Sequence, residues 1–388
     1  MHEQEFAPAS IVMSSIMTEQ KKTLLPNGFQ DLIAPQAGQA HQLLVDVIAT
    51  FTSFGYNLVE PPLLEYEESL LAAPDALKSQ DIFRFIDPLS HRTMGLRGDI
   101  TLQVVRMAQD HFADQPRPLR LAYYGHVLRI ATTDLRPQRQ FMQLGLEQVG
   151  GGLQAEIEVI QVALEALRHI GLSEVCLDFA LPTILRDLLQ KIPAECAKMV
   201  AARNIGSIRH QVRTGIIEKS LGNLLEFLLL LPPDPDLALE KLSQHHAFNK
   251  YQEMFAQLGT MIRALRASHP KVQLSLDIIE QYGFGYKTGI GYNLYAKGQN
   301  TSLGRGGQYQ AAEEKACGFS LNLSNILGGI ENHSASKKIS IPYNTDFLTV
   351  RDLQKDGWVT LLTDDPATNS VTEFYLYDGE ILPTKSAK

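Results

Sequence analysis

The chain of 388 residues carries 35 Lys and Arg against 43 Asp and Glu, a formal net charge of −8; this acidic balance lacks the basic field of a dedicated nucleic-acid binder. It is 44% hydrophobic, enough for a sizeable core and about two to three domains, and it contains no apolar run of the roughly 18 residues that a membrane span requires. Cys176, Cys196 and Cys317 stand far apart with no CxxC pattern, which reads as buried thiols of a reducing, cytoplasmic compartment and excludes a disulfide framework or zinc site.

Met1 to Lys22 mixes Pro, Ser and Gln with scattered charge and reads as a mobile tail; Glu3 and Glu5 exclude the basic start of a signal peptide, and Met17 is an alternative start. Order begins at Leu24, with Asn27-Gly28 as a turn. From Pro35 to Gly55 the apolar Leu44, Val47, Ile48 and Phe51 recur at helical spacing, and Gly55 ends the helix. Tyr56 to Glu60 is a short strand halted by Pro61-Pro62. A hairpin, Ile82–Ile86 with Thr93–Leu96, leads to a helix opened by Asp99 or Thr101. Taken alone, Asp99 is an ordinary helix N-cap.

Leu119 to Ile130 and Gln140 to Val149 read as paired strands joined by a polar loop with Asp134, Arg136, Pro137 and Arg139. Residues four apart on a strand share a face, so Arg139, Gln143 and Glu147, with Arg129 from the partner strand, can be aimed together. Two cations beside an amide and a carboxylate suit a small zwitterion or a nucleotide; a surface hairpin with ordinary ion pairs has the same pattern. Ala155 to Ile170 is an amphipathic helix and Val175 to Phe179 a strand. Leu181 to Ser268 is helical, with breaks at Pro193, Gly215, Gly222 and Pro232-Pro233. His245 and His246 are adjacent and face apart on a helix, which excludes a shared metal. Strand character resumes at Val272, and Tyr282 to Gln310 is punctuated by glycines without a phosphate-loop pattern. Ala316 to Leu323 is a further strand. The segment from about Ser336 is a small α/β unit with three candidate strands, ISIPYN, WVTLLTD and EFYLYDGEIL, and a short helix between the first two.

The order of these pieces resembles the catalytic core of the class II aminoacyl-tRNA synthetases, most closely the histidyl branch. The resemblance rests on Phe51 to Glu65 as the first motif, Gly125 to Glu147 as the second, LRGDIT at Leu96–Thr101, YKTGIGYNLY and RGGQY, and it covers roughly Leu24 to Leu327. It implies an α+β fold: an antiparallel sheet flanked by helices in a core over residues 23–330, a helical insertion at about 181–268, and a C-terminal module at 331–388. The chain departs from the synthetases at three points. Tyr282 aligns with their catalytic arginine, Asn325 stands near the ATP-binding arginine of the third motif, and VLRIAT lacks the acidic residue after the second-motif arginine. These losses leave Arg129 and Arg139 without their partners. Only 58 residues follow Ile330, short for an anticodon-binding domain.

With RGGQY in place of GGGRYD, the chain resembles the histidyl-synthetase-like regulatory subunits of ATP phosphoribosyltransferase. That resemblance implies no catalytic residues, cofactor or metal of its own. It implies a short-form catalytic subunit as partner, self-association through the first-motif helix and strand, no membrane or nucleic acid, and histidine as effector. Carried over by position, Asp99 and Thr101 take the ammonium of histidine, Gln143 and Glu147 its ammonium or imidazole, Arg129 lies near the carboxylate, and Tyr286 packs on the ring. Two other readings differ in class: a scaffold with a vestigial pocket, and a working histidyl-tRNA synthetase with a divergent third motif.

Overall fold

In a computed structural model of the chain the described residues are 24–71, 79–130, 138–280, 287–330, 337–369 and 371–384. The expected tail, the loop residues Asp134, Arg136 and Pro137, and Tyr282 and Tyr286 lie outside them. The chain divides into two compact units at Gly329 and Ile330.

The first unit opens with α1 (Gln36–Ser53) and β1 (Asn57–Val59), then a short antiparallel sheet of β2 (Leu64–Tyr66), β3 (Arg84–Ile86) and β4 (Thr93–Leu96), with the single turn α2 (Glu67–Leu70) after β2. Next come α3 (Thr101–Asp110), β5 (Leu119–Leu128), β6 (Gln140–Val149), α4 (Leu153–His169) and β7 (Val175–Ala180). Six helices fill the insertion: α5 (Pro182–Leu189), α6 (Ala194–Ala201), α7 (Ile205–Arg213), α8 (Lys219–Leu229), α9 (Pro235–Gln244) and α10 (Gln252–Ser268). The unit closes with β8 (Gln273–Leu276), β9 (Lys287–Ala296), β10 (Ser302–Ala311), β11 (Glu314–Asn322) and α11 (Leu323–Leu327).

Eight strands form one sheet in the order β1-β5-β6-β11-β10-β9-β7-β8. Its six central strands are antiparallel, as expected from the chain, but both edges are parallel: β1 runs with β5 and β8 with β7. The expected antiparallel sheet is thus present, with parallel pairing added at its two edges. Each edge pair is joined by a long crossover, the β2–α3 segment on one side and the helical insertion on the other, and long connections are what parallel pairing needs.

The two faces of this sheet differ. On one, α1 and α4 bury Leu43, Val47, Phe51, Ile157, Ile160 and Leu164, and the Phe51 ring meets Phe319 of β11 edge-on at 5.5 Å. Truncating a ring buried this way costs about 3–5 kcal/mol. On the other, α3 covers one end of the sheet through Ile100, Val104 and Ala108, packed with Leu121, Val127 and Val149; beyond them the register places Gln143, Glu147, Ser320, Arg305 and Asn293 on the same face. Gly222 does not break the insertion as its residue type suggests. It lies inside α8, where a Cβ would strike Val212 of α7, so the glycine lets two helices approach.

The second unit has β12 (Lys338–Pro342), α12 (Phe347–Lys355), β13 (Val359–Thr363), β14 (Phe374–Tyr377) and β15 (Glu380–Pro383) in the order β13-β12-β14-β15. Ile339, Ile341, Val350, Leu353 and Leu376 form its core. The single third strand expected there is a hairpin. Asp378 and Gly379 turn it with φ of 49° and 80°, the geometry that Asp-Gly favours in two-residue loops. Cys196 and Cys317 are buried as expected, whereas Cys176 is half-buried. Among the described residues no helix is long and apolar enough to cross a membrane.

Glu156, in the first turn of α4, is buried against the sheet and accepts from the Gln308 amide. Burial pushes its carboxyl up to about 7, against the opposing pull of Gln308 and Lys315. The unfolded chain ionises this group near its ordinary value, so between that value and about 7 only the folded state retains the proton. Stability on this account falls as pH rises through that window. Glu156→Gln is expected to be more stable than the wild type above pH 7, by at most about 3 kcal/mol, and indistinguishable from it near pH 4; urea denaturation at both pH values measures the difference.

Candidate functional site

The polar half of the α3 face is built around the turn that enters α3. Asp99 Oδ1 accepts the Thr101 backbone N–H at 2.9 Å and the Gln143 side-chain amide at 3.3 Å. Gln143 Oε1 accepts in return from the Ile100 N–H at 3.3 Å. The amide therefore clamps the turn to β6 from both sides. Asp99 does satisfy an orphan donor at a helix start, as an N-cap would, and the same oxygen also belongs to the cluster.

Thr101 continues the network. Its hydroxyl is 3.2 Å from that of Tyr123, which donates to Glu147 Oε1 at 3.2 Å, while Tyr309 donates to Glu147 Oε2 at 2.8 Å. Thr101, Gln143 and Glu147 are 3%, 2% and 1% exposed. A carboxylate this deep is tolerable only with hydrogen bonds to its oxygens. Glycine provides the room: a Cβ on Gly145 would overlap the Tyr123 ring, and one on Gly318 would overlap the Glu147 carboxylate.

Asp99 is half-buried, and its partial removal from water alone would raise its carboxyl. The guanidinium groups of Arg129 and Arg305, the Thr101 N–H and the Gln143 amide outweigh that and hold it below its ordinary value. Arg129 Nε donates to the Gly98 carbonyl at 3.2 Å, and its guanidinium lies 5.1 Å from the Phe141 ring centre. Arg139 sits over the rings of Phe83 and Phe29 at 4.8 and 5.3 Å. Its Nε donates to the Arg129 carbonyl at 3.3 Å. Cation–π and backbone contacts thus hold both arginines in place of the synthetase partners that the sequence lacks.

Of the residues expected from the sequence, Asp99, Thr101, Arg129, Gln143 and Glu147 come together; Tyr286 is outside the described residues. The reasoning from spacing missed Tyr123, Tyr309 and Arg305. Tyr123 is four residues before Val127 in β5, and Arg305 and Tyr309 are four apart in the glycine-rich β10, the same-face spacing that drew attention to Gln143 and Glu147. Near the third-motif position, Asn325 donates its amide to the Ser302 carbonyl at 2.8 Å and so fastens α11 to β10.

The family model described as Histidyl-tRNA synthetase matches residues 28–326. An ATP phosphoribosyltransferase regulatory subunit from Rhodospirillum centenum (strain ATCC 51521 / SW) is 33% identical over 353 residues, covering 90% of this chain and 92% of that one. The chain belongs to the histidyl-tRNA synthetase-like family of ATP phosphoribosyltransferase regulatory subunits. Two solved structures share the family's fold. One, from Bacillus halodurans C, is titled an ATP phosphoribosyltransferase regulatory subunit/histidyl-tRNA synthetase; it has a TM-score of 0.74 at 22% identity over 90% of this chain and 94% of its own. The other, in the ATP phosphoribosyl transferase (HisG:HisZ) complex from Thermotoga maritima, has a TM-score of 0.57 at 19% identity over 73% and 97%. Class II synthetase-like architecture, expected from the motifs, is thereby established for this family member.

Because Glu147 is sealed from water, removing one of its donors leaves a buried acceptor unmet. Tyr309→Phe is expected to lower the unfolding free energy by about 1–3 kcal/mol with an unchanged denaturant slope, measured by urea denaturation followed by circular dichroism.

Proposed function

We propose that this chain is the non-catalytic regulatory subunit of an ATP phosphoribosyltransferase, that it acts by assembling with the short-form catalytic subunit, and that its Asp99–Glu147 cluster binds histidine. The observation that carries the reading is the convergence of the half-buried Asp99 and the buried Glu147 with Arg129 and Arg305 at the turn that enters α3. Asp99 and the Thr101 hydroxyl suit an ammonium, and Gln143 and Glu147, buried behind them, are assigned to an ammonium or an imidazole N–H by sequence position. By sequence position alone, Arg129 is assigned to the neighbourhood of the carboxylate and Tyr286 to the ring. Charge-assisted bonds at both ends of a zwitterion are stronger than neutral ones.

The non-catalytic part of the reading is supported by Asn325. Adenylation requires cations around a triphosphate, and this side chain, near the position of an ATP-binding arginine in the synthetases, is committed to a backbone carbonyl. The partner is supported by the family, one of whose members is solved as a HisG:HisZ complex. Feedback then requires histidine to favour one arrangement of the assembly over another, for which a coupling of about 1–3 kcal/mol is typical.

Titration calorimetry with histidine is expected to give binding to the wild type and an affinity at least about tenfold weaker for Glu147→Ala; equal affinities would refute the site. Mixing with a short-form catalytic subunit is expected to raise phosphoribosyl transfer and to make it sensitive to histidine. Activation without a histidine response would identify a scaffold with a vestigial pocket, and histidine-dependent ATP–pyrophosphate exchange would identify a synthetase.

A further inference from the structure

The register of the large sheet places site residues in rows across the strands. One row runs Tyr123, Gly145, Ser320, Arg305, Asn293 across β5, β6, β11, β10 and β9. The next runs Leu121, Glu147, Gly318, Gly307, Gly291. Three successive strands beyond Glu147 therefore present glycine in the second row. A Cβ on Gly307 would meet the backbone of Ile290 and Gly291, and its φ of 141° disfavours any other residue. In the first row, the first long side chain beyond Gly145 is Arg305.

Strands two apart in a sheet are separated by about 10 Å, and Arg305 stands in the row of Gly145 with only the short Ser320 on the strand between them. Its charge acts on Asp99 together with that of Arg129. The two arginines come from different elements: Arg129 follows the end of β5, gives Nε to the Gly98 carbonyl and lies against Phe141, whereas Arg305 lies within β10. Arg129 thereby fixes the turn that carries Asp99. Arg305 is the cation whose strand borders the glycine floor.

We propose that Arg305 is the specificity-determining residue that receives the carboxylate of the bound amino acid, through the two-pronged geometry that a guanidinium offers a carboxylate. The assignment rests on the reading of the cluster as a histidine site. It gives the site a second pole: the ammonium end at Asp99 and Thr101, the carboxylate end over the glycine floor beside Arg305. It also accounts for a long basic residue standing among glycines in the GRGGQY segment.

The test separates the two ends of the ligand. The full chain and its Arg305→Met and Arg305→Lys variants are titrated calorimetrically with L-histidine and with L-histidinol, which keeps the ammonium and imidazole but carries a hydroxymethyl group in place of the carboxylate. The wild type is expected to prefer histidine by at least about tenfold. Arg305→Met is expected to abolish that preference by weakening histidine alone, with histidinol affinity held or raised, because removing a neighbouring cation strengthens the grip of Asp99 on an ammonium. Arg305→Lys keeps the charge but not the fork and is expected to retain only part of the preference; this comparison decides the matter if the Met variant does not fold. An unchanged preference in the Lys and Met variants overturns the proposal, as does an equal loss of both ligands. If the wild type binds histidinol and histidine equally, the carboxylate is not read and the proposal fails while the histidine site stands. If it binds neither, the site reading fails and this assignment with it.

Discussion

Glu147 is a carboxylate sealed inside the centre of an eight-stranded sheet, and each of its oxygens is met by a tyrosine hydroxyl from a different strand. Much of the site follows from that arrangement. An ionised group removed from water is expensive unless donors replace the water it lost. Tyr123 must therefore reach from β5 and Tyr309 from β10. For their rings and the carboxylate to lie flat on the sheet, Gly145 and Gly318 must carry no side chain. One buried charge thus sets residue size on neighbouring strands. The same network extends through the Tyr123 and Thr101 hydroxyls to the start of α3, then through Asp99 and Gln143 back to β6. The circuit ties the helix to the sheet at the turn that carries Asp99, so the cluster and the element that positions it are one structure.

The opposite face explains how such a polar surface is maintained. α1 and α4 are packed there by aliphatic and aromatic side chains, with Phe319 of β11 meeting Phe51 while its neighbour Gly318 opens the other side for Glu147. The alternation of a strand lets one segment serve both purposes. Apolar burial on the back supplies stability; the front then carries charged groups that contribute little net stability.

How far the sequence reveals this depends on whether a relation is local. Asp99 and Thr101 are two residues apart, Gln143 and Glu147 four apart on one strand, and the paired strands that hold them are visible in period-2 patterning. The Asp-Gly at 378–379 carries a hairpin signal that the reading of a single long strand passed over. Tyr123, Tyr309 and Arg305 enter the site through cross-strand register, which no single segment encodes: Tyr123 is opposite Gly145, and Arg305 and Tyr309 stand two strands away from Gln143 and Glu147. The parallel edges are equally non-local, being products of long crossovers. Gly222 illustrates the reverse error: a residue read as a helix break is there for a helix–helix contact with Val212. Arg139 shares its spacing with Gln143 and Glu147, but the rings of Phe29 and Phe83, distant in sequence, decide where its guanidinium rests.

The charge arrangement bears on what such a site can hold. Among the described residues of the cluster, Asp99 and Glu147 oppose Arg129 and Arg305, two charges of each sign. A polyanion brought to this balance meets carboxylates at close range. At an effective dielectric of about 20, a like-charge contact at 4 Å costs on the order of 4 kcal/mol, and no surplus of cations offsets it. A zwitterion meets complementary charge at both ends and leaves the balance unchanged. For a nucleotide triphosphate to be held productively, further cations would have to be positioned, and the side chain of Asn325, near the place where the synthetases carry one, is instead turned to the Ser302 carbonyl. The physical distinction between an enzyme that activates an amino acid and a subunit that senses one therefore lies less in the amino-acid pocket, which both need, than in the cations beside it.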